Sequence, residues 1–155
     1  MQTTDIKHLT TLLQNFCAYQ ERCIKEVMLK AKTIFPEVNT EELEIIINAL
    51  IDDNFINEKR FAENYTSGKL KYNQWGKQKI ILQLKSKFIS EENIQNAINQ
   101  IKNTEYQSIM LRLVNSKIKK KDAITFEEKH KLYNFLYQKG FDTEDIKQIL
   151  KQNNL

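Results

Sequence analysis

Residues 55–87 read FINEKRFAENYTSGKLKYNQWGKQKIILQLKSK, and this stretch decides the fold. Asn57 is a helix N-cap by composition, because its side-chain oxygen can accept an orphan backbone N–H. Phe61, Tyr65 and Leu70 then mark one apolar face. Trp75-Gly76 breaks the pattern, and Ile80, Ile81 and Leu84 restart it. The spacing predicts two helices joined by a short turn. From Asn64 to Ser90 there is no acidic residue, and six lysines stand there: Lys69, Lys71, Lys77, Lys79, Lys85 and Lys87. An aromatic-flanked stretch of one charge sign stands out in an otherwise mixed chain.

Working outward, the composition favours helices. Three glycines and one proline in 155 residues leave few positions for positive φ and few helix breaks. Hydrophobic residues make up 41%, enough for a core, while 28% charged residues argue against a membrane protein. No run approaches the roughly 18 apolar residues of a spanning helix. The N-terminus, MQTTDIKHL, lacks the basic-then-apolar layout of a signal peptide, so a cytoplasmic protein is expected. A net charge of +4 is compatible with a nucleic-acid partner without requiring one. Cys17 and Cys23, six residues apart, fall on opposite faces of a helical segment and read as small buried hydrophobes.

Ile6, Leu9, Leu12, Leu13, Phe16 and Cys17 form a helical stripe, and residues 20–34 repeat the pattern until Pro36 stops it. Asn39 with Glu42 makes a capping box for a third helix, as Thr125 with Glu128 does for a later one. Gly140 is a C-cap by position. The segments beginning at Lys79 and Lys131 superpose at an offset of 52. Leu84, Ile89, Ile94 and Ile98 then fall on Leu136, Phe141, Ile146 and Leu150, and the caps Ser90 and Asp142 coincide. In the first third, Asn39, Leu43, Ile47 and Leu50 follow the same register, 51 residues before Ser90, Ile94, Ile98 and Ile101. The expected fold is therefore all-α: three tandem three-helix repeats forming an elongated, curved, solenoid-like body, divided at 1–54, 55–102 and 103–155.

Enzymatic chemistry finds little support. No phosphate loop, dinucleotide fingerprint or HExxH is present. His8 and His130 lie in different thirds of the chain with no acid or thiol at metal spacing, so no metal or cofactor is expected. Glu41-Glu42 and Glu91-Glu92 suit helix N-termini electrostatically. From Thr33 to Glu58 seven acids stand without a lysine or arginine, which reads as a solvated face. The basic-aromatic set has two readings. Its lysines can neutralise phosphates or acidic side chains while Tyr72 and Trp75 stack on a base or fill a pocket. Alternatively, Trp75 staples the entry to its helix and the lysines are solubilising. Arg60 reads either as a contact residue or as the partner of Asp52, Asp53 or Glu63.

The run Phe55-Ile56-Asn57-Glu58-Lys59-Arg60-Phe61-Ala62 with Tyr65, then Trp75-Gly76-Lys77 and Ile80, resembles the central repeat of the RecX family, regulators of the RecA recombinase. The terminal Tyr133-Asn134-Phe135-Leu136 with Lys139-Gly140-Phe141 and Ile146 extends the likeness. The sequence departs from the family pattern at Phe88, where glycine usually precedes the apolar residue. The resemblance implies three tandem three-helix repeats and a non-enzymatic protein. It implies binding to RecA and its single-stranded DNA filament, in the filament groove, with ATP hydrolysis, strand exchange and co-protease activity restrained. Weak direct DNA binding and a monomeric state go with this expectation. The candidate contact residues are Arg60, Lys69, Lys71, Tyr72, Trp75, Lys77, Lys79, Lys85, Lys119 and Lys120.

Overall fold

The computed structural model describes residues 2–118 and 123–155. Nine helices, and no strands, occur among the described residues. They are α1 (Thr3–Tyr19), α2 (Ile24–Ile34), α3 (Thr40–Asp52), α4 (Glu58–Tyr72), α5 (Lys77–Ser86), α6 (Glu91–Asn99), α7 (Asn103–Ile118), α8 (Phe126–Lys139) and α9 (Thr143–Gln152). They form three tandem triplets. The helix starts follow the caps in the sequence. Asn39, Asn57, Ser90, Thr125 and Asp142 each accept a backbone N–H three residues on. α2 stops at Ile34, two residues before Pro36.

α2 begins later than the periodicity implies. Residues 20–23 link α1 to α2, and Cys23 is the N-cap of α2. The two cysteines therefore do not share a helix. Both are buried free thiols, as expected of small apolar residues.

Asn54, Phe88, Gly140 and Asn154 all adopt positive φ, at 62°, 60°, 103° and 58°. Each sits just past a helix end, and the next residue donates its N–H back to a carbonyl five residues earlier. Phe55 reaches Leu50 at 2.8 Å, Ile89 reaches Leu84 at 3.2 Å, Phe141 reaches Leu136 at 3.2 Å and Leu155 reaches Leu150 at 2.9 Å. This is the Schellman closure, which favours glycine or asparagine at the left-handed position. Phe88 forms it in spite of its side chain, so α5 ends at the register of α8 although glycine is missing.

Two buried clusters hold the molecule. One, with Leu9, Leu13, Val27, Leu43, Ile46 and Leu50 at its centre, belongs to α1–α3 and takes in Ile56. The other is continuous through α4–α9, from Phe61, Ile80 and Leu84 to Tyr106, Leu136, Phe141 and Ile146. Cys23 joins this second cluster from the first triplet. Elsewhere the first triplet meets the second through polar contacts. Arg60 pairs with Glu21, and Lys87 Nζ pairs with Glu26 at 3.0 Å. Ile24 N–H donates to Glu58 Oε2 at 3.2 Å and Lys25 Nζ donates to the Ser86 carbonyl at 2.8 Å. The accessible surface is 9985 Å², against about 8,200 Å² for a compact monomer of 18.4 kDa. The excess fits an elongated body.

Candidate interaction surface on α4 and α5

The turn between α4 and α5 is fixed from outside. Gly76 N–H donates to the Lys139 carbonyl at 2.8 Å and Gln78 N–H to the Gly140 carbonyl at 2.9 Å. Lys139 Nζ returns a bond to the Asn73 carbonyl at 2.9 Å. The two glycines touch backbone to backbone: a Cβ on Gly76 would lie 2.3 Å from the Gly140 carbonyl carbon, and one on Gly140 would lie 2.4 Å from Lys79 Cβ. The α4–α5 turn is thus bolted to the α8–α9 turn. Tyr106, buried between them, accepts the Lys77 N–H at 3.0 Å. Burial pushes the Tyr106 hydroxyl pKa well up, so it stays a neutral partner.

This anchoring presents a row of alternating cations and rings. Lys87 Nζ lies 5.7 Å and Lys69 Nζ 5.4 Å from the Tyr65 ring centre. Lys69 is also 4.9 Å from the Trp75 ring, and Lys79 is 4.5 Å from it. Ammonium groups within about 6 Å of a ring are held by the ring quadrupole without losing charge. The row runs Lys87, Tyr65, Lys69, Trp75, Lys79. Beside it opens a cleft of about 600 Å³ whose lining includes Tyr65, Lys69, Lys87, Glu21, Glu26 and the exposed Tyr72. Burial works against the charge of Lys87, but its hydrogen bond and ion pair with Glu26 outweigh this and raise its pKa.

The residues expected from sequence therefore separate. Lys69, Trp75 and Lys79 converge, with Tyr72 on the cleft beside them. Trp75 is also half-buried against the larger core, so the stapling and the surface readings both describe it. Lys71 lies on the other side of α4, in a groove with Glu63 and Glu105. Lys77 turns to the Tyr106 ring at 4.7 Å. Lys85 is exposed, 4.0 Å from Glu91. Arg60 is engaged inside the molecule, but its carboxylate partner is Glu21 rather than Asp52, Asp53 or Glu63, and it also donates to the Asn54 carbonyl at 3.0 Å. Glu21 precedes α2 in the chain, and no short-range spacing signals a contact across 39 residues. Lys119 and Lys120 lie outside the described residues. Lys87, one of the six lysines of the acid-free stretch, joins the row, as does Tyr65, which the sequence placed on an apolar face. The four-residue step from Tyr65 to Lys69 on one helix is the signal that reveals Tyr65.

The fold defines an all-helical protein built of tandem three-helix repeats. Among the described residues no group of three His, Cys, Asp or Glu side chains is placed to hold a metal, and no helix is long and apolar enough to cross a membrane. Models of the second and third three-helix domains of RecX match residues 57–98 and 104–150. The chain belongs to the RecX family. The regulatory protein RecX of Lactobacillus gasseri is 26% identical over 149 residues, covering 96% of this chain and 54% of that protein. For RecX of Bacillus velezensis the identity is 30% over 151 residues, with 96% and 56% covered. This chain spans about half to two thirds of the length of such relatives. The crystal structure of RecX from Lactobacillus salivarius shares the fold, with a TM-score of 0.85, 24% identity and 97% of each chain covered.

Proposed function

We propose that this chain is a non-enzymatic modulator of RecA that binds the RecA filament on single-stranded DNA and restrains its ATP turnover, strand exchange and co-protease activity. Family membership supports the partner. The observation that carries the mode of binding is the cation–ring row on α4 and α5. Its lysines meet phosphates or acidic side chains, and its rings offer stacking faces that tolerate any base. An elongated body can lie along a filament groove and touch neighbouring protomers, so that modest contacts add through multivalency. The protein acts in the cytoplasm as a monomer in this reading.

The test adds the purified chain to preformed RecA filaments on single-stranded DNA and follows ATP hydrolysis and strand exchange. Inhibition is expected at less than one chain per RecA protomer. Lys69→Glu with Lys79→Glu is expected to weaken inhibition at least tenfold, while Lys85→Glu, off the row, leaves it within twofold. Full potency of the double variant would remove the row from the mechanism. Indifference of the filament to the wild-type chain would sink the proposal, and tight base-selective binding to naked duplex would replace it with a transcriptional role.

A further inference from the structure

We propose that the groove between α2 and the α5–α6 turn receives an acidic amphipathic helix from a protein partner. The groove shares Lys87 with the cation–ring row, but the inference rests on Phe88 and α2.

It starts from Phe88. This residue holds φ at 60°, where an L side chain crowds its own backbone, and leaves its ring 77% exposed. The positive φ closes α5, but that closure needs no side chain, and the exposed ring adds nothing to it. The same helix closure is made elsewhere by Asn54, Gly140 and Asn154, none of which projects a ring. A strained conformation and an exposed aromatic at one position point to use of the surface itself.

Phe88 forms one wall of a groove of about 460 Å³. Ile24, Met28 and Leu29 of α2 form the facing wall, and Leu29 is 59% exposed. The space suits a few apolar side chains presented by a helix. Apart from the Phe88 ring, the lining is made of aliphatic and charged side chains. They offer no stacking face, which disfavours a nucleobase as occupant.

The rim supplies the charge. Lys25 and Lys32 are seven residues apart on α2, two turns along the side that carries Leu29. Lys25 Nζ lies 4.8 Å over the Phe88 ring and donates to the Ser86 carbonyl. Lys87 stands on the opposite wall, already paired with Glu26. The acid in the lining, Glu58, is half-buried and occupied by the Ile24 N–H. What faces solvent is an apolar slot with ammonium groups spaced along its edge. Its complement is a helix carrying Leu or Phe on one face and Glu or Asp beside them.

The full chain is titrated into a fluorescent synthetic helix with Leu and Phe on one face and Glu on the other, and anisotropy is read. Saturable binding is expected, with none for the same helix carrying Lys in place of Glu. Leu29→Ser, Phe88→Gly and the pair Lys25→Glu with Lys32→Glu are each expected to weaken binding at least tenfold. Phe88→Gly should meanwhile unfold at a denaturant concentration no lower than wild type, which separates lost docking from lost folding. The inference fails if the Glu helix does not bind, or if Phe88→Gly binds it unchanged or unfolds earlier. Displacement of the helix by a single-stranded oligonucleotide, or self-association abolished by Phe88→Gly, would give the groove to nucleic acid or to a second copy and overturn it.

Discussion

Alanine at Gly68 and alanine at Gly76 are expected to change stability in opposite directions. Gly68 lies inside α4, and a Cβ there meets no atom within 4 Å. The change removes unfolded-state freedom and adds nothing to collide, so Gly68→Ala should stabilise by about 0.5–1 kcal/mol. At Gly76 the same methyl lands 2.3 Å from the Gly140 carbonyl carbon and 2.4 Å from Phe141 N, both backbone atoms. No rotamer change relieves this, and the two turns must part. Parting them breaks the Gly76-to-Lys139 and Gln78-to-Gly140 hydrogen bonds, worth roughly 1 kcal/mol each. Overpacking adds about 1–3 kcal/mol. Gly76→Ala should therefore destabilise by about 3–5 kcal/mol, a large share of a marginal total. Equilibrium denaturant unfolding followed by circular dichroism gives both values. Trp75 is the only tryptophan, so its emission reports the parting directly as a red shift at zero denaturant. A Gly76→Ala midpoint within about 0.5 kcal/mol of wild type, with unshifted emission, would refute the glycine contact as the bolt between the second and third triplets.

Three further outcomes are expected. Arg60→Ala should cost about 1–2 kcal/mol, since it strands Glu21 with its second carboxylate oxygen already buried and unbonded; hydrogen exchange should quicken in α1–α3 and not in α4–α9, and uniform loss of protection would count against it. Glu58 has a pKa raised by burial, only partly opposed by the Ile24 N–H, so the folded state takes up its proton more readily than the unfolded state above the ordinary value of 4.5. Its contribution to stability is gained as pH falls through the window just above 4.5 and lost as pH rises through it; Glu58→Gln should abolish that slope in denaturant midpoints, and an unchanged slope would assign it to another group. Burial pushes the Cys17 thiol up to about 11 and also raises Cys23; neither should react with a disulfide reagent at pH 7.5 except at the rate of opening, and prompt reaction of either would contradict its burial.

The fold was legible because its instructions are local. Caps at Asn39, Asn57, Ser90, Thr125 and Asp142 act within a few residues, and each appears where its side chain predicts. The interaction surface was legible only in part, because its assembly is not local. Which lysines join Trp75 depends on how α4 and α5 rotate about a turn held by Lys139 and Gly140, more than sixty residues away in sequence. The acid-free stretch therefore showed that a basic face exists but not that Lys71 and Lys77 leave it. The partner of Arg60 was hidden for the same reason. Charge proximity in sequence offered Asp52, Asp53 or Glu63, yet the docking of the 20–23 link chose Glu21.

The two boundaries between triplets differ in kind, and the cation–ring row touches both. At its Lys79 end the row rests on the glycine contact and a shared apolar core, which salt does not weaken. At its Lys87 end it rests on the Glu26 pair, one of a set of half-exposed polar contacts that join the first triplet to the rest. Salt weakens such partly buried contact pairs less than fully exposed ones, but it does not weaken an apolar core at all. An anionic partner arriving at the row competes with Glu26 for Lys87, so engaging the row and loosening the first triplet draw on the same ammonium group. The matched family models cover the second and third triplets, where the core is continuous. The first triplet keeps a core of its own and reaches the larger one through Cys23, so a shift of this triplet would open the larger core at that point alone. In the proposed role, the Lys79 end of the row stays fixed while the Lys87 end adjusts to the spacing of the partner.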